Sequence, residues 1–210
     1  MNGNTINHLS AFEGCYMMQP KDIRLFADTL ADGFGQYNLF QYVCGKEYNH
    51  RNMSKFWEVS LSLLDDNAIC IADSSDVNSV LVYIGPKSKE ASVFKYITSG
   101  GLKMLWQLGP RCAIRLLRFN LEAHKVAKRH RTENDGYILC FATRIDKQGQ
   151  NYGKPLIEAL LRYLDASGEG CYLETLKATN VDLYKRFSYE LKEQKALRSS
   201  KLVLYAMHRK

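Results

Sequence analysis

Apolar and polar residues follow a helical rhythm in two early parts of this chain. In residues 22–32 the side chains of Ile23, Phe26, Ala27 and Leu30 recur at the spacing of one helix face. Pro20 precedes this stretch and Gly33 follows it, as is typical of helix ends. A similar pattern covers residues 52–64. The sequence therefore predicts two amphipathic helices in its first third.

Short apolar runs predict the strands of a sheet. Residues 68–72 and 79–84 read as a hairpin, and three later apolar runs cover residues 137–145, 171–175 and 202–207. A further strand is expected at residues 190–196, just before the last of these runs. Helical patterns over residues 152–166 and 181–187 separate some of these runs. Strands alternate with helices, yet hairpin-like pairs stand at both ends. We therefore expect a mixed α/β sheet and not a purely parallel one.

Residues 87–131 are helical and irregular in pattern. A short helix is expected near residues 91–97, followed by a break at Gly100-Gly101. Gly109-Pro110 then opens a helix that places Ile114, Leu117 and Leu121 on one face. The region has the pattern of an inserted helical lid.

The composition is that of one globular domain. The chain has 210 residues, of which 46% are hydrophobic, so residues 1–210 can bury one sizeable core. The first residues lack the basic-then-apolar order of a secretory signal, and no apolar run has the length of a membrane span. We therefore expect a cytoplasmic protein with no membrane partner. The six cysteines lie far apart without a C-x-x-C pair, which favours reduced core residues.

The formal charge of +7 is concentrated in one helical stretch. This basic stretch contains Arg111, Arg115, Arg118, Lys125, Lys128, Arg129 and Arg131. A solvated helix face near an anionic cofactor explains it best. Nucleic acid is not expected as a partner, because no RNA- or DNA-binding motif with stacking aromatic residues accompanies the charge.

The most informative motif is a glycine-bearing turn, Gln148-Gly-Gln-Asn-Tyr-Gly153, between a strand and a helix. Such a turn leaves free backbone N–H groups at the positive end of the helix dipole, which suits a phosphate group. A P-loop is excluded because Lys154 is followed by Pro155, which has no hydroxyl for magnesium. The glycine spacing does not fit a dinucleotide fingerprint, although Glu174 lies about twenty residues further on.

The turn resembles the Q/R-x-x-G-x-G/A pyrophosphate loop of the GNAT superfamily of acetyl-CoA-dependent N-acetyltransferases. Asn180-Val-Asp-Leu-Tyr184 resembles the N-x-x-L-Y segment of the same family. Tyr172-Leu-Glu-Thr175, the closing Met207-His-Arg209 and the position of His130 resemble a subgroup of puromycin N-acetyltransferase-like proteins.

Three positions depart from the family pattern. Asn151 replaces the middle glycine of the loop, and asparagine enters left-handed conformations more readily than other non-glycine residues. Ser188-Tyr189 replaces a Gly-Phe pair, which affects the local turn. Asp135 stands where the subgroup has a second histidine, so any role of that histidine is not inherited.

The resemblance implies a fold and a cofactor. The expected fold is a mixed, mostly antiparallel central sheet with helices on both faces and a helical insertion. Residues 1–130 would form the acceptor side, and residues 131–210 would bind acetyl-CoA; no metal is expected. The cofactor-binding groups implied by the family are the backbone of Phe141, Ala142 and Thr143 for pantetheine, the N–H groups of Gln148, Gly149, Gln150, Asn151, Tyr152, Gly153 and Lys154 for the pyrophosphate, Lys147 or Lys154 for the outer phosphate, and Asn180.

The resemblance also implies catalytic candidates. Tyr184 would act as general acid towards the departing thiolate, although it could instead pack as one more of thirteen tyrosines. Glu174, His130 and Asp135 are candidates for the base that deprotonates the amine. Asn180 could bind pantetheine or simply cap the following helix. Trp106 and the Gly100-Gly101 break could shape the acceptor pocket.

The predicted function is direct transfer of an acetyl group from acetyl-CoA to a primary amine, without a covalent acetyl-enzyme. The acceptor is a small-molecule amine or an amine of a protein or peptide, and a homodimer is compatible with the sequence. One alternative is a catalytically idle acyl-CoA-binding protein with a regulatory role. Another is an enzyme whose charged RNA or acidic protein acceptor binds the basic stretch.

Overall fold

The structure, a computed structural model, describes residues 10–45, 48–86 and 109–210. Its helices are α1 (Ile23–Phe34), α2 (Asn38–Val43), α3 (His50–Ser62), α4 (Pro110–His130), α5 (Lys154–Ser167) and α6 (Ala178–Lys185). Its strands are β1 (Tyr16–Met17), β2 (Ala68–Ala72), β3 (Ser79–Ile84), β4 (Asp135–Thr143), β5 (Gly170–Thr175), β6 (Glu190–Ala196) and β7 (Val203–Arg209). Short 3-10 turns occur at Ser10–Phe12, Pro20–Asp22 and Ile145–Lys147.

All seven strands of the described residues belong to one sheet with the order β1-β2-β3-β4-β5-β7-β6. The pair β4 and β5 is parallel, and the other neighbouring pairs are antiparallel. The expectation of a mixed, mostly antiparallel α/β sheet is confirmed. For β2 to β7 the strand bounds agree with the sequence-based ones to within two residues. The sequence does not predict β1, because two residues are too few to show a strand pattern.

Helices cover both faces of the sheet. On one face α1, α2 and α3 pack on the side chains of Cys70, Val80, Val82 and Cys140. On the other face α5 and α6 pack on a second set that includes Ile71, Leu81 and Tyr83. This alternation of consecutive strand residues between two cores follows from the two-residue period of a strand.

Helix α1 lies against the end of β4, where the candidate site begins. The close approach depends on Gly33, since a Cβ atom added there would lie 2.7 Å from the carbonyl oxygen of Thr143. Thr29 Oγ1 also donates a 2.5 Å hydrogen bond to the carbonyl oxygen of Val77, in the turn before β3. Both contacts fix α1 to the middle of the sheet.

Helix α4 is the described part of the helical insertion between β3 and β4, and the sequence-based account of it needs two corrections. The predicted face is wrong: Ile114, Leu117 and Leu121 are 50%, 37% and 50% exposed. The buried face consists of Cys112, Leu116, Phe119, Ala123 and Val126. Through this face the helix packs on β5 and β7 at Tyr172, Leu204 and Ala206, so this part of the insertion is a layer of the fold and not a lid. The expected helix at residues 91–97 and the Gly100-Gly101 break lie outside the described residues.

The cysteines are free thiols, as predicted. Five are buried, and Cys70, Cys140 and Cys171 lie in β2, β4 and β5. Burial raises the pKa of the Cys70 and Cys171 thiols to about 12, so both stay protonated at neutral pH. In the described residues there is no helix with the length and apolar character needed to span a membrane.

Candidate active site

The central parallel pair of the sheet opens into a V. Strands β4 and β5 pair only where Asp135, Gly136 and Tyr137 face Gly170, Cys171 and Tyr172. Beyond this point the strands diverge. Residues 138–143 of β4 stay paired with β3 on one edge, and the edge that faces β5 has no strand partner among the described residues. An irregularity at Leu139, where the register with β3 shifts between Val82 and Tyr83, coincides with the divergence. Backbone groups on this edge are therefore available to a ligand.

A cavity of about 140 Å³ lies at the opening of the V. Its walls come from α1, α2, α3, α4, β4, β5 and α6, so it lies between the amino-terminal helices and the diverging strands. The described lining residues are Phe34, Tyr37, Leu39, Phe40, Trp57, Phe119, Tyr137, Ile138, Leu139, Cys140, Phe141, Leu173, Glu174, Thr175, Leu176, Asn180 and Tyr184.

The turn after β4 forms an open loop of backbone amides at the start of α5. Its conformation depends on left-handed backbone at Gly149, with φ of +77°, and at Asn151, with φ of +65°. The departure from glycine at position 151 therefore keeps the left-handed geometry, as the sequence suggested. The side chain of Gln148 anchors the loop, because its Nε2 donates a 3.1 Å hydrogen bond to the carbonyl oxygen of Thr143.

Several amides of this loop are unpaired. The N–H groups of Gly149, Asn151, Tyr152 and Gly153 have no acceptor within the described residues. Pro155 occupies the first turn of α5, where its missing N–H costs nothing. The loop is thus a set of free donors at a helix amino terminus, which is the arrangement that binds phosphate groups.

The two predicted outer-phosphate cations lie at the edges of this loop. Lys154 Nζ lies 3.8 Å from a carboxylate oxygen of Glu158, and Lys147 Nζ lies 3.4 Å from Asp146. Both ion pairs are partly exposed, so either lysine can exchange its partner for an anion at small cost.

Gly153 connects the loop to the cavity. A Cβ atom added at Gly153 would lie 2.8 Å from Cζ of Phe141, whose ring lines the cavity. Close packing of loop on strand therefore requires glycine at this position.

Asn180 and Tyr184 approach the cavity from α6. Asn180 Nδ2 donates a 3.0 Å hydrogen bond to Thr175 Oγ1, and α6 begins before it, at Ala178. The alternative that Asn180 caps this helix is therefore wrong. Tyr184 is 7% exposed and lines the cavity, so burial raises the pKa of its phenol well above the usual value. Its hydroxyl remains protonated at neutral pH.

The turn after α6 keeps its shape with serine. Ser188 has φ of +63°, and the N–H of Tyr189 donates to the carbonyl oxygen of Tyr184 at 3.1 Å. The ring of Tyr189 packs edge-on against that of Tyr184, with centroids 5.7 Å apart. With serine in place of glycine at position 188, Tyr184 thus keeps its contacts with the backbone and the ring of Tyr189.

Glu174 is the carboxylate of the cavity. Its burial raises its pKa to about 7, while a 2.8 Å hydrogen bond from the Tyr172 hydroxyl to its Oε1 opposes that shift. A carboxyl group with a pKa near 7 exists in both forms at neutral pH and can accept or release a proton there. Among the residues predicted as bases, Glu174 is the one that lines the cavity.

His130 and Asp135 lie elsewhere. His130 ends α4, where its Nε2 lies 2.8 Å from Oε2 of Glu193 on β6. Asp135 lies at the closed end of the V and is 4% exposed, with His208 Nε2 2.9 Å away. Burial alone would raise the pKa of Asp135, but hydrogen bonds from Thr132 and from His208 outweigh it and lower the pKa. Neither residue lines the cavity, so the structure gives no support to either as the base.

Tyr37, between α1 and α2, is a site residue that the sequence did not reveal. Its hydroxyl accepts a 2.7 Å hydrogen bond from the N–H of Leu176, just after β5. Asn38 Nδ2 donates to the carbonyl oxygen of Leu176 at 3.2 Å. These bonds join the turn between α1 and α2 to the segment after β5 across the mouth of the V. The one available signal was the aromatic run around residues 34–42, which has no clear period. Trp106, predicted to shape the pocket, lies outside the described residues.

This geometry is that of the GNAT acetyltransferase fold. No protein-family model and no curated protein matches the chain. Solved structures do match: a histone acetyltransferase HPA2-related acetyltransferase from Corynebacterium glutamicum has a TM-score of 0.62 at 15% identity, covering 93% of this chain and 94% of that one. An N-acetyltransferase from Staphylococcus aureus has a TM-score of 0.60 at 14% identity, covering 92% and 98%. At such identities the likeness establishes the fold alone.

Another structure with this fold is a polyamine N-acetyltransferase from Drosophila melanogaster that forms N-acetylagmatine. Its TM-score is 0.58 at 12% identity, and the alignment covers 92% of this chain and 96% of that one. The narrower likeness to puromycin N-acetyltransferases stays a prediction from the sequence.

Proposed function

We propose that this protein is an N-acetyltransferase that moves an acetyl group from acetyl-CoA to a primary amine by direct transfer. The observation that carries the proposal is the joint position of the V between β4 and β5, the open amide loop at the start of α5, and a cavity lined by Glu174, Asn180 and Tyr184. The fold shared with N-acetyltransferases agrees with it.

The described residues fit acetyl-CoA, which supplies a thioester-activated acetyl group. The free amides of Gly149, Asn151, Tyr152 and Gly153 match the needs of a pyrophosphate. The unpaired edge of β4 at Phe141–Thr143 would bind the pantetheine amides as a strand does. The side chain of Asn180 lines the cavity from α6, and its nitrogen donates to Thr175 Oγ1. Its oxygen would accept a hydrogen bond from a pantetheine amide.

Two residues would handle the protons. Most primary amines are protonated at neutral pH, so one proton must leave before the nitrogen can attack. The carboxylate of Glu174 would accept it, since a pKa near 7 is suited to a base at that pH. The Tyr184 hydroxyl would donate a hydrogen bond to the departing sulfur, whose charge is otherwise unshielded in an apolar cavity. After the nitrogen has attacked, it loses a second proton. That proton would reach the coenzyme sulfur directly, or it would go to the Tyr184 oxygen after Tyr184 has given its own proton to the sulfur.

An idle acyl-CoA-binding protein would keep the loop and lack turnover. Glu174 distinguishes the two functions. A half-buried carboxylate with a raised pKa lowers stability and binds no part of the coenzyme in the proposed arrangement, so an idle binding protein has no use for it. The decisive measurement is release of coenzyme thiol from acetyl-CoA in the presence of a broad amine panel. Binding of acetyl-CoA without thiol release from any amine would favour the regulatory function.

Replacing Tyr184 tests the acid directly. We expect Tyr184→Phe to lower turnover about a hundredfold or more, because general acid catalysis commonly contributes that much, while the affinity for acetyl-CoA stays near that of the parent. Thiol release and isothermal titration on the same preparation separate the two effects. Tyr189→Phe is the matched control, because Tyr189 packs on the Tyr184 ring without lining the cavity. Equal turnover in Tyr184→Phe and the parent would reduce Tyr184 to a packing residue.

A further inference from the structure

The outer side of α4 carries an apolar ridge that lies in solvent. Ile114 and Leu121 are each 50% exposed, more than any other large apolar side chain that the structure describes, and Leu117 between them is 37% exposed. Their spacing along the chain places them on one side of the helix, in a row about 10 Å long. Single exposed leucines are ordinary in a folded protein, whereas an aligned group of them marks a contact surface.

The ridge lies on the side of α4 that is opposite to the sheet. The helix packs on β5 and β7 through its other side, where Leu116 and Phe119 are buried. Phe119 also lines the candidate active-site cavity, so the ridge points away from that cavity. A partner on the ridge would thus contact a surface separate from the candidate active site.

Positive side chains border the ridge. Arg118, Lys125 and Lys128 are exposed and lie within about 70° of the mid-line of the ridge around the helix axis. The one acid of this helix, Glu122, lies farther round, about 100° or more from the same line. The charges that α4 itself places next to the ridge are therefore positive.

The turn between β6 and β7 extends this positive surface. The carboxylate of Glu122 accepts hydrogen bonds from the backbone N–H groups of Arg198 and Ser199, both at 2.8 Å. These bonds hold the turn beside α4, and the exposed side chains of Arg198 and Lys201 stand on it. The positive charge thus continues from the helix onto the neighbouring turn.

Shape, apolarity and charge together select the partner. A nucleic acid would meet the cations but offers aliphatic side chains little apolar surface. A protein groove that encloses an amphipathic helix needs much of its circumference, and one side of α4 is occupied by the sheet. A bilayer surface needs one side only, because aliphatic side chains enter the boundary between headgroups and acyl chains while flanking lysines and arginines reach the phosphates.

We propose that the outer side of α4 docks on an anionic phospholipid membrane, with the ridge inserted between the headgroups and the three bordering cations on their phosphates. This inference is independent of the proposed acetyl transfer. The sequence-based expectation of no membrane partner considered segments that could span a bilayer, and a helix that lies on the surface needs no such segment.

The test is cosedimentation of the whole protein with vesicles. We expect binding to phosphatidylcholine mixed with phosphatidylserine to be at least about tenfold stronger than to phosphatidylcholine alone, because each cation near an anionic surface contributes about fivefold. Raising the salt from about 0.1 M to about 1 M shortens the Debye length from about 10 Å to about 3 Å and should remove most of that preference. No binding to either vesicle, or equal binding to both, would overturn the inference.

Lys125→Gln combined with Lys128→Gln tests the bordering charge. We expect this double variant to bind the anionic vesicles about 25-fold more weakly than the parent. The matched control is Arg51→Gln combined with Lys55→Gln, which removes the same charge from exposed positions on α3. Equal losses in the two double variants would mean that net charge alone attracts the protein, and the assignment to α4 would be wrong.

Leu117→Gln combined with Leu121→Gln tests the ridge. We expect about tenfold weaker binding or more, because two partly exposed leucines lose their apolar contact with the bilayer. Leu25→Gln combined with Leu191→Gln is the control, since these leucines of α1 and β6 are 38% and 37% exposed, and it should bind like the parent.

Circular dichroism and the melting temperature of the same preparations show whether each variant is folded, so that a loss of binding is not mistaken for a loss of structure. Parent-like vesicle binding by the folded ridge variant would refute insertion of α4 into the membrane.

Discussion

Glu174 is held in an environment that costs the protein stability. The carboxyl group lies in a cavity wall, and its pKa is raised to about 7 because burial penalises the charged form. In an unfolded chain the same group titrates near its ordinary value of about 4.3. The native state therefore binds a proton that the unfolded state has already released between these two pH values. Stability that is present at low pH is lost as the pH rises through about 7.

The corresponding prediction concerns Glu174→Gln. The parent should lose free energy of unfolding between about pH 4.5 and 7 relative to the variant, because the amide does not titrate. Above pH 8 the variant should be the more stable protein, and near pH 4.5 the two should be similar. Urea unfolding at a series of pH values measures the difference. A difference between the two proteins that does not vary with pH would mean that Glu174 has an ordinary pKa.

Gly153 gives a second test at the scale of one residue. Gly153→Ala places a methyl group against the Phe141 ring, so the loop must move away from β4 and its amides lose their alignment. We expect acetyl-CoA to bind at least about tenfold more weakly, a change of roughly 1.4 kcal/mol that isothermal titration would detect.

The control is Gly168→Ala, at the other end of the same helix. Gly168 caps α5 with φ of +69° and has open space around it. Its replacement should cost about 1 kcal/mol of stability through backbone strain and leave acetyl-CoA affinity unchanged. Equal affinity of Gly153→Ala and the parent would show that the pyrophosphate is bound elsewhere.

At the scale of elements, α4 illustrates how an apolar pattern can mislead. Two stripes run along this helix, and each has the spacing of one face. The stripe through Leu116, Phe119 and Ala123 faces the sheet, and the stripe through Ile114, Leu117 and Leu121 faces solvent. Local spacing reveals that a helix exists, but which stripe is buried depends on β5 and β7, which come later in the chain.

Adjacent leucines on these stripes should respond very differently to substitution. Leu116 is 6% exposed, so Leu116→Ala should lower the free energy of unfolding by about 2–5 kcal/mol. Leu117 is 37% exposed, so Leu117→Gln should change it by about 0.5 kcal/mol or less. Chemical denaturation of both variants measures the contrast. Comparable losses in the two variants would mean that the exposed stripe is covered in solution.

Strands β2 to β7 and the conformation of the open turn before α5 could be predicted because each depends on a local pattern. The turn needs a glycine, an asparagine that tolerates left-handed backbone and a proline at the helix start, and all are visible in sequence. The cavity wall could not be predicted in this way. Phe34, Trp57 and Phe119 come from three helices that meet only in the folded chain, and α2 is too short to show a helical period. His130 shows the opposite failure, since a matching position in sequence led to a residue paired with Glu193 outside the cavity.

At the scale of the whole molecule, the central pairing of the sheet is short, and only the edge pairing of β1 with β2, with two residue pairs, is shorter. Three residue pairs join β4 to β5, whereas five join β2 to β3 and five join β5 to β7. Side chains reinforce the open end, where Asn38 Nδ2 donates to the carbonyl oxygen of Leu176 at 3.2 Å. A ligand that binds in the V would add contacts where the backbone supplies few.

Acetyl-CoA should therefore stabilise the protein measurably. At a concentration about a hundred times its dissociation constant, a ligand of the native state adds about 2.7 kcal/mol. For a domain of this size that corresponds to a rise in melting temperature of about 5–10 °C. Tyr184→Phe should show the same rise, and Gly153→Ala should show less at the same concentration. No rise in the parent would contradict the proposed cofactor.

The bond between the Leu176 amide and the Tyr37 hydroxyl also makes one proton a reporter of both sides of the cavity. That proton exchanges with deuterium only when the loop after β5 separates from the turn between α1 and α2. A molecule seated on either wall holds these segments together and slows the exchange. Slower exchange at the Leu176 amide would thus report the binding of either the acceptor or the coenzyme. In Tyr37→Phe this amide should exchange quickly with or without a ligand, because the oxygen that accepts its hydrogen bond is gone.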